Sequence, residues 1–136
     1  MAKLHLKVVT PEQTILEDDV EEVMVTTPDG EIGILPHHAN LMSQIITGEM
    51  RIKNNGKETV MATGSGLLQM IDNTLSIMTD LAEKAEDIDE KAVEEAKKRA
   101  EAALQQTLSD EEYAATLAVL EKSLAQLKVK LRHHSR

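Results

Sequence analysis

The stretch Gly30-Glu31-Ile32-Gly33-Ile34-Leu35-Pro36-His37-His38-Ala39 contains the strongest fold signal in the sequence. Its apolar residues are interrupted by Gly30, Gly33 and Pro36, in an order that suits neither a continuous helix nor a continuous strand. Glycine permits positive φ or a close backbone approach, and proline fixes φ and removes a hydrogen-bond donor. The stretch therefore predicts two strand-like runs joined by a compact, shaped loop.

The residues on both sides of this stretch, from 1 to 84, have the pattern of short strands. Leu4, Leu6 and Val8 alternate with polar residues, and a period of two gives a strand one buried face. Turn signals interrupt the pattern at Pro28-Asp29-Gly30, Asn54-Asn55-Gly56 and Asp72-Asn73. Many short strands with turns about every 8–12 residues predict an antiparallel β-sandwich or barrel.

From Asp87 the period of the sequence changes to that of helices. Asp87 and Glu90 have the spacing of a capping box with Asp as the N-cap, which predicts a helix from there to about Gln106. Ser109 and Glu112 form a full capping box and predict the start of a second helix.

The two predicted helices carry complementary apolar stripes. The first stripe consists of Val93, Ala96, Ala100 and Ala103, and the second of Tyr113, Leu117, Leu120, Leu124, Leu127 and Leu131. Small residues facing a leucine seam predict a close antiparallel hairpin. Two helices of this length are only marginally stable on their own, so we expect the hairpin to pack against the sandwich, against a partner, or against each in turn. The predicted fold class is therefore β + α, with an N-terminal antiparallel β-sandwich over residues 1–84 and a C-terminal antiparallel α-helical hairpin over residues 85–136.

Composition excludes several classes of function. Tyr113 is the single aromatic residue, the net charge is −9 and there is no cysteine. Base stacking, nucleic-acid binding and thiolate chemistry are therefore not expected. No apolar run approaches the roughly 20 residues of a membrane span, and the start lacks a signal-peptide pattern, so direct membrane insertion is not expected. The sequence has no phosphate-binding loop, and we expect neither catalytic residues nor a metal site.

Charge is unevenly distributed, because five basic residues and no acidic residue lie between Lys122 and Arg136. One interpretation is a partner with an acidic surface. The other is that these residues complement the negative end of a helix dipole. The two interpretations are compatible.

The order of these features resembles the epsilon-subunit family of the rotary F-type ATP synthase. The resemblance is carried by Val8-Val9-Thr10-Pro11-Glu12, the stretch from Gly30 to Ala39, Gly64-Ser65-Gly66 and Glu86-Asp87-Ile88-Asp89. It implies a non-catalytic rotor subunit at the cytoplasmic face of the bacterial cell membrane, which couples proton flow to ATP synthesis. It also implies a ten-stranded sandwich that binds the gamma subunit of the central stalk and rests on the membrane c-ring. The helical hairpin would extend into the alpha/beta catalytic hexamer to block ATP hydrolysis, and fold down to release it.

The resemblance also implies which residues make these contacts. The contact with stalk and ring would use Glu31, Ile32, Gly33, Leu35 and His38, although ordinary core packing explains Ile32 and Leu35 equally well. The inhibitory contact would use Lys122, Lys128, Lys130 and Arg132. The middle of the second helix lacks positive charge, so we expect a weakened brake on hydrolysis.

Some members of the family bind ATP through a motif Ile/Leu-Asp-x-x-Arg-Ala. Here Ile88 and Asp89 match the motif, but Ala92 stands in place of the arginine, and Glu83 and Arg99 are the other candidate ligands. A guanidinium makes charge-assisted bonds that a methyl group cannot. We expect no cofactor, and ATP at most as a weak regulatory ligand. The alternatives are a free-standing nucleotide sensor and an adaptor sandwich with a helical arm.

Overall fold

The computed structural model describes residues 2–134, which form ten strands, one 3-10 turn and two helices. The strands are β1 Leu4–Val9, β2 Thr14–Val20, β3 Glu22–Thr27, β4 Gly30–Ile34, β5 Leu41–Ile45, β6 Gly48–Asn54, β7 Lys57–Thr63, β8 Gly66–Ile71, β9 Thr74–Thr79 and β10 Ala82–Lys84. The 3-10 turn is Ala85–Asp87, and the helices are α1 Glu90–Ala103 and α2 Asp110–His134.

The strands form two five-stranded sheets that share one core. The first sheet has the order β2-β1-β9-β8-β5, and the second has the order β10-β7-β6-β3-β4. Within residues 2–134 the strand pairs are antiparallel, except that β1 and β9 run parallel. Helices α1 and α2 pack against each other after the last strand. The predicted antiparallel sandwich followed by a helical hairpin is confirmed.

Two of the predicted turns have the backbone of tight β-hairpins. Asn55 and Gly56, with φ of 53° and 77°, join β6 to β7, and Asp72 and Asn73, with φ of 47° and 65°, join β8 to β9. Two central residues at positive φ match the right-handed twist of the paired strands, which is why Asn, Asp and Gly occupy them. The Asn73 side chain also donates to the carbonyl of Lys3 at 2.9 Å, which ties the second turn to the start of β1.

The core between the sheets is aliphatic and rich in methionine. Leu4, Leu6 and Val8 are all fully buried, as the alternation in β1 predicts. The other fully buried side chains include Ile34, Met50, Met61, Leu68, Met70, Leu75 and Ile77. Flexible methionines fill the space that aromatic rings occupy in other cores, which suits a chain with one aromatic residue.

The N-cap of α1 differs from the sequence prediction. The capping residue is Asp89, whose side chain accepts a hydrogen bond from the backbone N–H of Ala92 at 3.1 Å. Asp87, the predicted cap, lies instead in the 3-10 turn. The helix begins two residues later because Ala85 and Ile88 are buried, which holds the chain against the sandwich before it can turn into α1. The capping box of α2 is confirmed, since Ser109 and Glu112 exchange hydrogen bonds of 3.1 and 3.2 Å.

The leucine stripe of α2 is less buried than a heptad seam requires. Tyr113, Leu124 and Leu131 are exposed, and the buried side chains of α2 are instead Ser123 and Val129. Leu117, Leu120 and Leu127 are half-buried, so the predicted seam is formed only in part. The reason is that α2 packs on β6 and β7 of the sandwich as well as on α1, which divides its buried positions between two surfaces.

Candidate functional site

The stretch from Gly30 to Ala39 contains all five predicted contact residues, but they do not form one surface. Ile32 pairs with Val25 and packs partly against the core. Gly33 lies beneath Met24, and a Cβ at this position would be 2.8 Å from the Met24 Sδ. The side chain of Glu31 receives a hydrogen bond from Arg51 at 2.6 Å.

Leu35 and His38 lie in the loop between β4 and β5, and both are exposed. The loop is fixed to the end of the first sheet by two hydrogen bonds. The His37 N–H donates to the Asn73 side chain at 2.7 Å, and the Asp72 N–H donates to the Asn40 side chain at 3.1 Å. The loop therefore runs from the second sheet, where Leu35 lines a cavity of about 680 Å³ with Glu22 and Lys53, to the end of the first sheet.

The outer face of the first sheet carries an exposed apolar surface that the sequence prediction missed. It consists of Met42 on β5, Leu67 and Ile71 on β8 and Met78 on β9, and we call it the apolar face. Leu67 and Met78 are direct cross-strand partners, and Met42 is 68% exposed. Contiguous exposed apolar surface of this kind marks interaction sites in soluble proteins. The only sequence signal was the nearly unbroken apolar run of β8, which is typical of a strand covered on both faces.

The hairpin covers the part of the outer face of the second sheet that β6 and β7 form. A second apolar cluster forms there, separate from the core between the sheets, and we call it the docking cluster. It consists of Val60, Ala62, Ala85, Ile88, Val93 and Val129, with Leu127 packed against it. The sandwich thus has one face that its own helices cover in part and one apolar face that no described residue of the chain covers.

Three of the four basic residues predicted for the inhibitory contact bind the sandwich instead. Lys122 forms an ion pair with Asp80 at 2.7 Å, and Arg132 forms one with Glu49 at 2.7 Å. The Lys130 Nζ donates to the backbone carbonyl of Ala85 at 3.1 Å. Lys128 is exposed, at the edge of a groove of about 470 Å³ between the helices.

The candidate ATP ligands are engaged with the chain itself or lie apart. Glu83 accepts a hydrogen bond from the side chain of Gln126 at 2.8 Å, and Asp89 is the N-cap of α1. Ile88 is buried in the docking cluster. Arg99 is exposed on α1, about 15 Å of helix rise beyond Asp89. The structure brings Glu83, Ile88 and Asp89 to the start of the hairpin and leaves Arg99 near the opposite end of α1.

A histidine lies between two carboxylates on the first sheet. His5 Nδ1 is 2.8 Å from Asp19, and His5 Nε2 is 2.8 Å from Glu17. The hydrogen bond with Asp19, and to a smaller extent that with Glu17, raises the pKa of His5 above its ordinary value of 6.5. The hydrogen bond with His5 in turn lowers the pKa of Glu17. In the α2 capping box, hydrogen bonds from the Ser109 side chain and backbone lower the pKa of Glu112.

Among residues 2–132, whose side chains the structure describes, no three histidine or acidic side chains converge so as to hold a metal ion. Within the same range no helix is both long enough and apolar enough to cross a membrane.

Comparison with known proteins identifies the family. Residues 3–85 match the family model described as "ATP synthase, Delta/Epsilon chain, beta-sandwich domain", and residues 86–130 match "ATP synthase, Delta/Epsilon chain, long alpha-helix domain". The ATP synthase epsilon chain of Chloroflexus aggregans is 38% identical over 130 residues, which is 96% of this chain and 94% of that relative. The epsilon chain of Caldicellulosiruptor bescii is 39% identical over 129 residues, 95% of this chain and 94% of the relative.

The same fold occurs in a solved rotary enzyme. A chain in the cryo-EM structure of the Euglena gracilis mitochondrial ATP synthase, in the OSCP/F1/c-ring assembly, superimposes with a TM-score of 0.77 at 22% identity. The match covers 100% of this chain and 83% of that chain. With both family models matched in chain order and relatives similar over nearly their whole length, this chain belongs to the delta/epsilon family of ATP synthase chains, which are non-catalytic subunits of that complex.

Proposed function

We propose that this chain is a central-stalk subunit that couples proton-driven rotation to ATP synthesis and restrains ATP hydrolysis through its hairpin. It would act at the cytoplasmic face of the bacterial membrane, bound to the gamma subunit and resting on the c-ring. The observation that carries the proposal is the difference between the two faces of the sandwich. The hairpin covers part of one face, and the other presents Met42, Leu67, Ile71 and Met78.

The apolar face is suited to a permanent partner in the stalk. Its four side chains come from three adjacent strands, so a partner can bury them together. Burial of apolar area contributes about 25 cal/mol per Å², and the sheet backbone that carries these side chains is already ordered before binding. The part of the loop around His37 and His38 adjoins this sheet and extends the proposed contact, whereas Leu35 lies beside the second sheet. Glu31 lies on the other sheet and is suited to a separate contact, that with the ring.

The docked hairpin corresponds to the state in which the brake is released. Lys122, Lys130 and Arg132 are held by the sandwich, so they must break these contacts before they can reach acidic groups of the catalytic hexamer. Exposed ion pairs contribute about 0–1 kcal/mol each, so inhibition requires several of them to act together. Only Lys128 is left exposed among the four, which supports a weak brake in this conformation.

The stalk contact is tested by changing the apolar face. The variant Leu67→Gln/Met78→Gln replaces a direct cross-strand pair, and we expect its affinity for a catalytic core that contains the gamma subunit to fall at least about tenfold. Leu131→Gln is the matched control, because Leu131 is 61% exposed but lies on the hairpin. Equal affinities for both variants and the wild type would show that the stalk binds elsewhere.

The brake is tested in the same reconstituted system. We expect the full chain to slow ATP hydrolysis by the core modestly, and the variant Ala115→Lys/Ala118→Lys to slow it further. Both alanines are exposed, so the added charges are not expected to disturb the docked hairpin. If the added charges leave hydrolysis unchanged, the electrostatic account of the inhibitory contact is wrong.

Weak ATP binding is tested by restoring the missing arginine. Calorimetry should show that Ala92→Arg binds ATP about tenfold more tightly than the wild type, because a guanidinium then joins Glu83 and Asp89 at the start of the hairpin. Ala102→Arg adds the same charge at an exposed position near the other end of α1. A gain below about threefold for Ala92→Arg, or an equal gain for Ala102→Arg, contradicts a site at Ile88 and Asp89.

A further inference from the structure

Four charged side chains of alternating sign form a row across the outer face of the second sheet. Arg132 of α2 donates to Glu49 Oε1 at 2.7 Å, and Arg51 Nε is 3.7 Å from the same oxygen. Arg51 Nη2 in turn donates to Glu31 Oε1 at 2.6 Å. Glu49 and Arg51 both lie on β6, and the Arg51 side chain reaches across β3 to Glu31 on β4. The row therefore connects the end of the hairpin to the strand that begins the Gly30–Ala39 stretch.

Glu49 is the buried member of this row of four charges, with a side chain only 6% exposed. Within residues 2–132, its Oε2 has no hydrogen-bond partner, and neither does the buried Nε of Arg51. The 3.7 Å between Arg51 Nε and Glu49 is too long for a hydrogen bond. A buried carboxylate with one unsatisfied oxygen is costly, and its free energy depends strongly on how many cations approach it.

Two arginines thus lie beside one buried carboxylate. The second cation to approach gains less free energy than the first, because the first has already offset much of the negative charge and the two cations repel each other. Glu31 holds the Arg51 guanidinium at 2.6 Å, and while it does so, Glu49 depends on Arg132 for its one short ion pair. If Glu31 no longer holds Arg51, the guanidinium is free to move the short distance to Glu49. Glu49 then has an ion-pair partner within the sandwich, and the free energy of the state with the hairpin undocked falls.

We propose that Arg51 is a switchable counter-charge that couples the occupancy of Glu31 to the docking of the hairpin. A basic group of a partner that binds Glu31 releases Arg51 to Glu49 and weakens the hold on Arg132. Only the identity of that partner, the ring, rests on the proposed function. The coupling itself is a property of the isolated chain.

The test is a double-mutant cycle on the full-length chain, with the docking equilibrium measured by native-state hydrogen exchange of the α2 amides around Val129. Glu31→Gln should loosen docking about five- to tenfold, a usual size for coupling between sites. Arg51→Met should tighten docking, because Glu49 then has Arg132 as its remaining cation. In the Arg51→Met background, Glu31→Gln should have no further effect.

The control variant is Glu22→Gln, which removes an ion pair with Lys53 on the same sheet but outside the row of four charges. It should leave docking of the hairpin unchanged. Amides of β8 report whether the sandwich stays folded. Should Arg51→Met fail to fold, Arg51→Gln gives the same cycle with the same expected result.

Two results overturn the coupling. One is a Glu31→Gln effect of equal size with and without Arg51, which would mean that Glu31 acts directly on Arg132 through space. The other is no effect of Glu31→Gln at all. Because the cycle uses the isolated chain, a failed cycle with intact binding to the catalytic core rejects only the coupling. A successful cycle without such binding rejects only the proposed function.

Discussion

Val129 is the most completely buried apolar side chain of α2 among the described residues. It is fully buried in the docking cluster, against Val60 and Ala62 of β7 and residues at the start of the hairpin. Val129→Ala removes two methyl groups, worth about 0.8 kcal/mol each in lost burial, and the cavity adds to this. We expect a loss of about 2 kcal/mol, which is about 30-fold in the docking equilibrium.

The matched control is Val119→Ala, the same substitution on the same helix at a position that is 46% exposed. Its expected effect is below about 0.5 kcal/mol. Native-state hydrogen exchange should show α2 amides exchanging about 30-fold faster in Val129→Ala, because they exchange by undocking. Amides of β8 should be unchanged, because Leu68 and Met70 belong to the separate core between the sheets.

The reasoning is refuted if α2 and β8 amides accelerate equally in Val129→Ala. That result would mean that hairpin and sandwich unfold together as one cooperative unit. Equal effects of Val129→Ala and Val119→Ala would refute it differently, by showing that α2 does not use its buried side to dock.

Three further predictions concern local features. Asp89→Ala should lower the unfolding free energy of α1 by about 1 kcal/mol, measured by helix melting, whereas Asp87→Ala should have little effect. The pKa of His5 is raised by its two carboxylate partners, so its contribution is fully present below pH 6.5 and lost as pH rises through the higher folded-state pKa. The wild-type advantage over His5→Gln in urea unfolding should therefore shrink with rising pH, and an advantage that grows would contradict the assignment. Gly66→Ala should be more destabilising than Gly56→Ala in urea unfolding, because its Cβ would clash with the backbone of β9, whereas the Cβ at Gly56 meets open space and costs only the strain of a positive φ.

The sandwich was predictable because its signals are local. The turn residues Asn55 and Gly56 need positive φ, and few residues other than Asn, Asp and Gly adopt it readily. The alternation of Leu4, Leu6 and Val8 shows directly which face of β1 is buried. Neither inference requires knowledge of the residues that pack against these segments in the folded protein.

The start of α1 was not predictable from the spacing alone. Asp87 and Asp89 both have the chemistry of an N-cap, and the sequence favoured Asp87 because Glu90 follows at the spacing of a capping box. The structure selects Asp89 because Ala85 and Ile88 are buried against the sandwich first. The choice between two equivalent caps is thus made by tertiary contacts.

The functional surfaces also depend on contacts that no short window of sequence contains. Leu67 and Met78 are eleven positions apart and become partners only through the register of β8 and β9. The pair of Arg132 with Glu49 spans 83 positions. The basic residues of the hairpin were recognised from their clustering, but their acidic partners in the sandwich were not.

The packing of α2 explains why a docked hairpin can still be a movable one. Docking buries Val129 and Ser123 and packs Leu127 against the docking cluster, whereas Leu124 and Leu131 stay exposed, so only part of the apolar surface of α2 holds the helix down. The hold therefore depends on one small cluster and a few charged contacts, of which the pair of Arg132 with the buried Glu49 is the least screened by solvent. An equilibrium set by so few contacts lies within a few kcal/mol of balance, and a single partner that alters one of those contacts is enough to shift it.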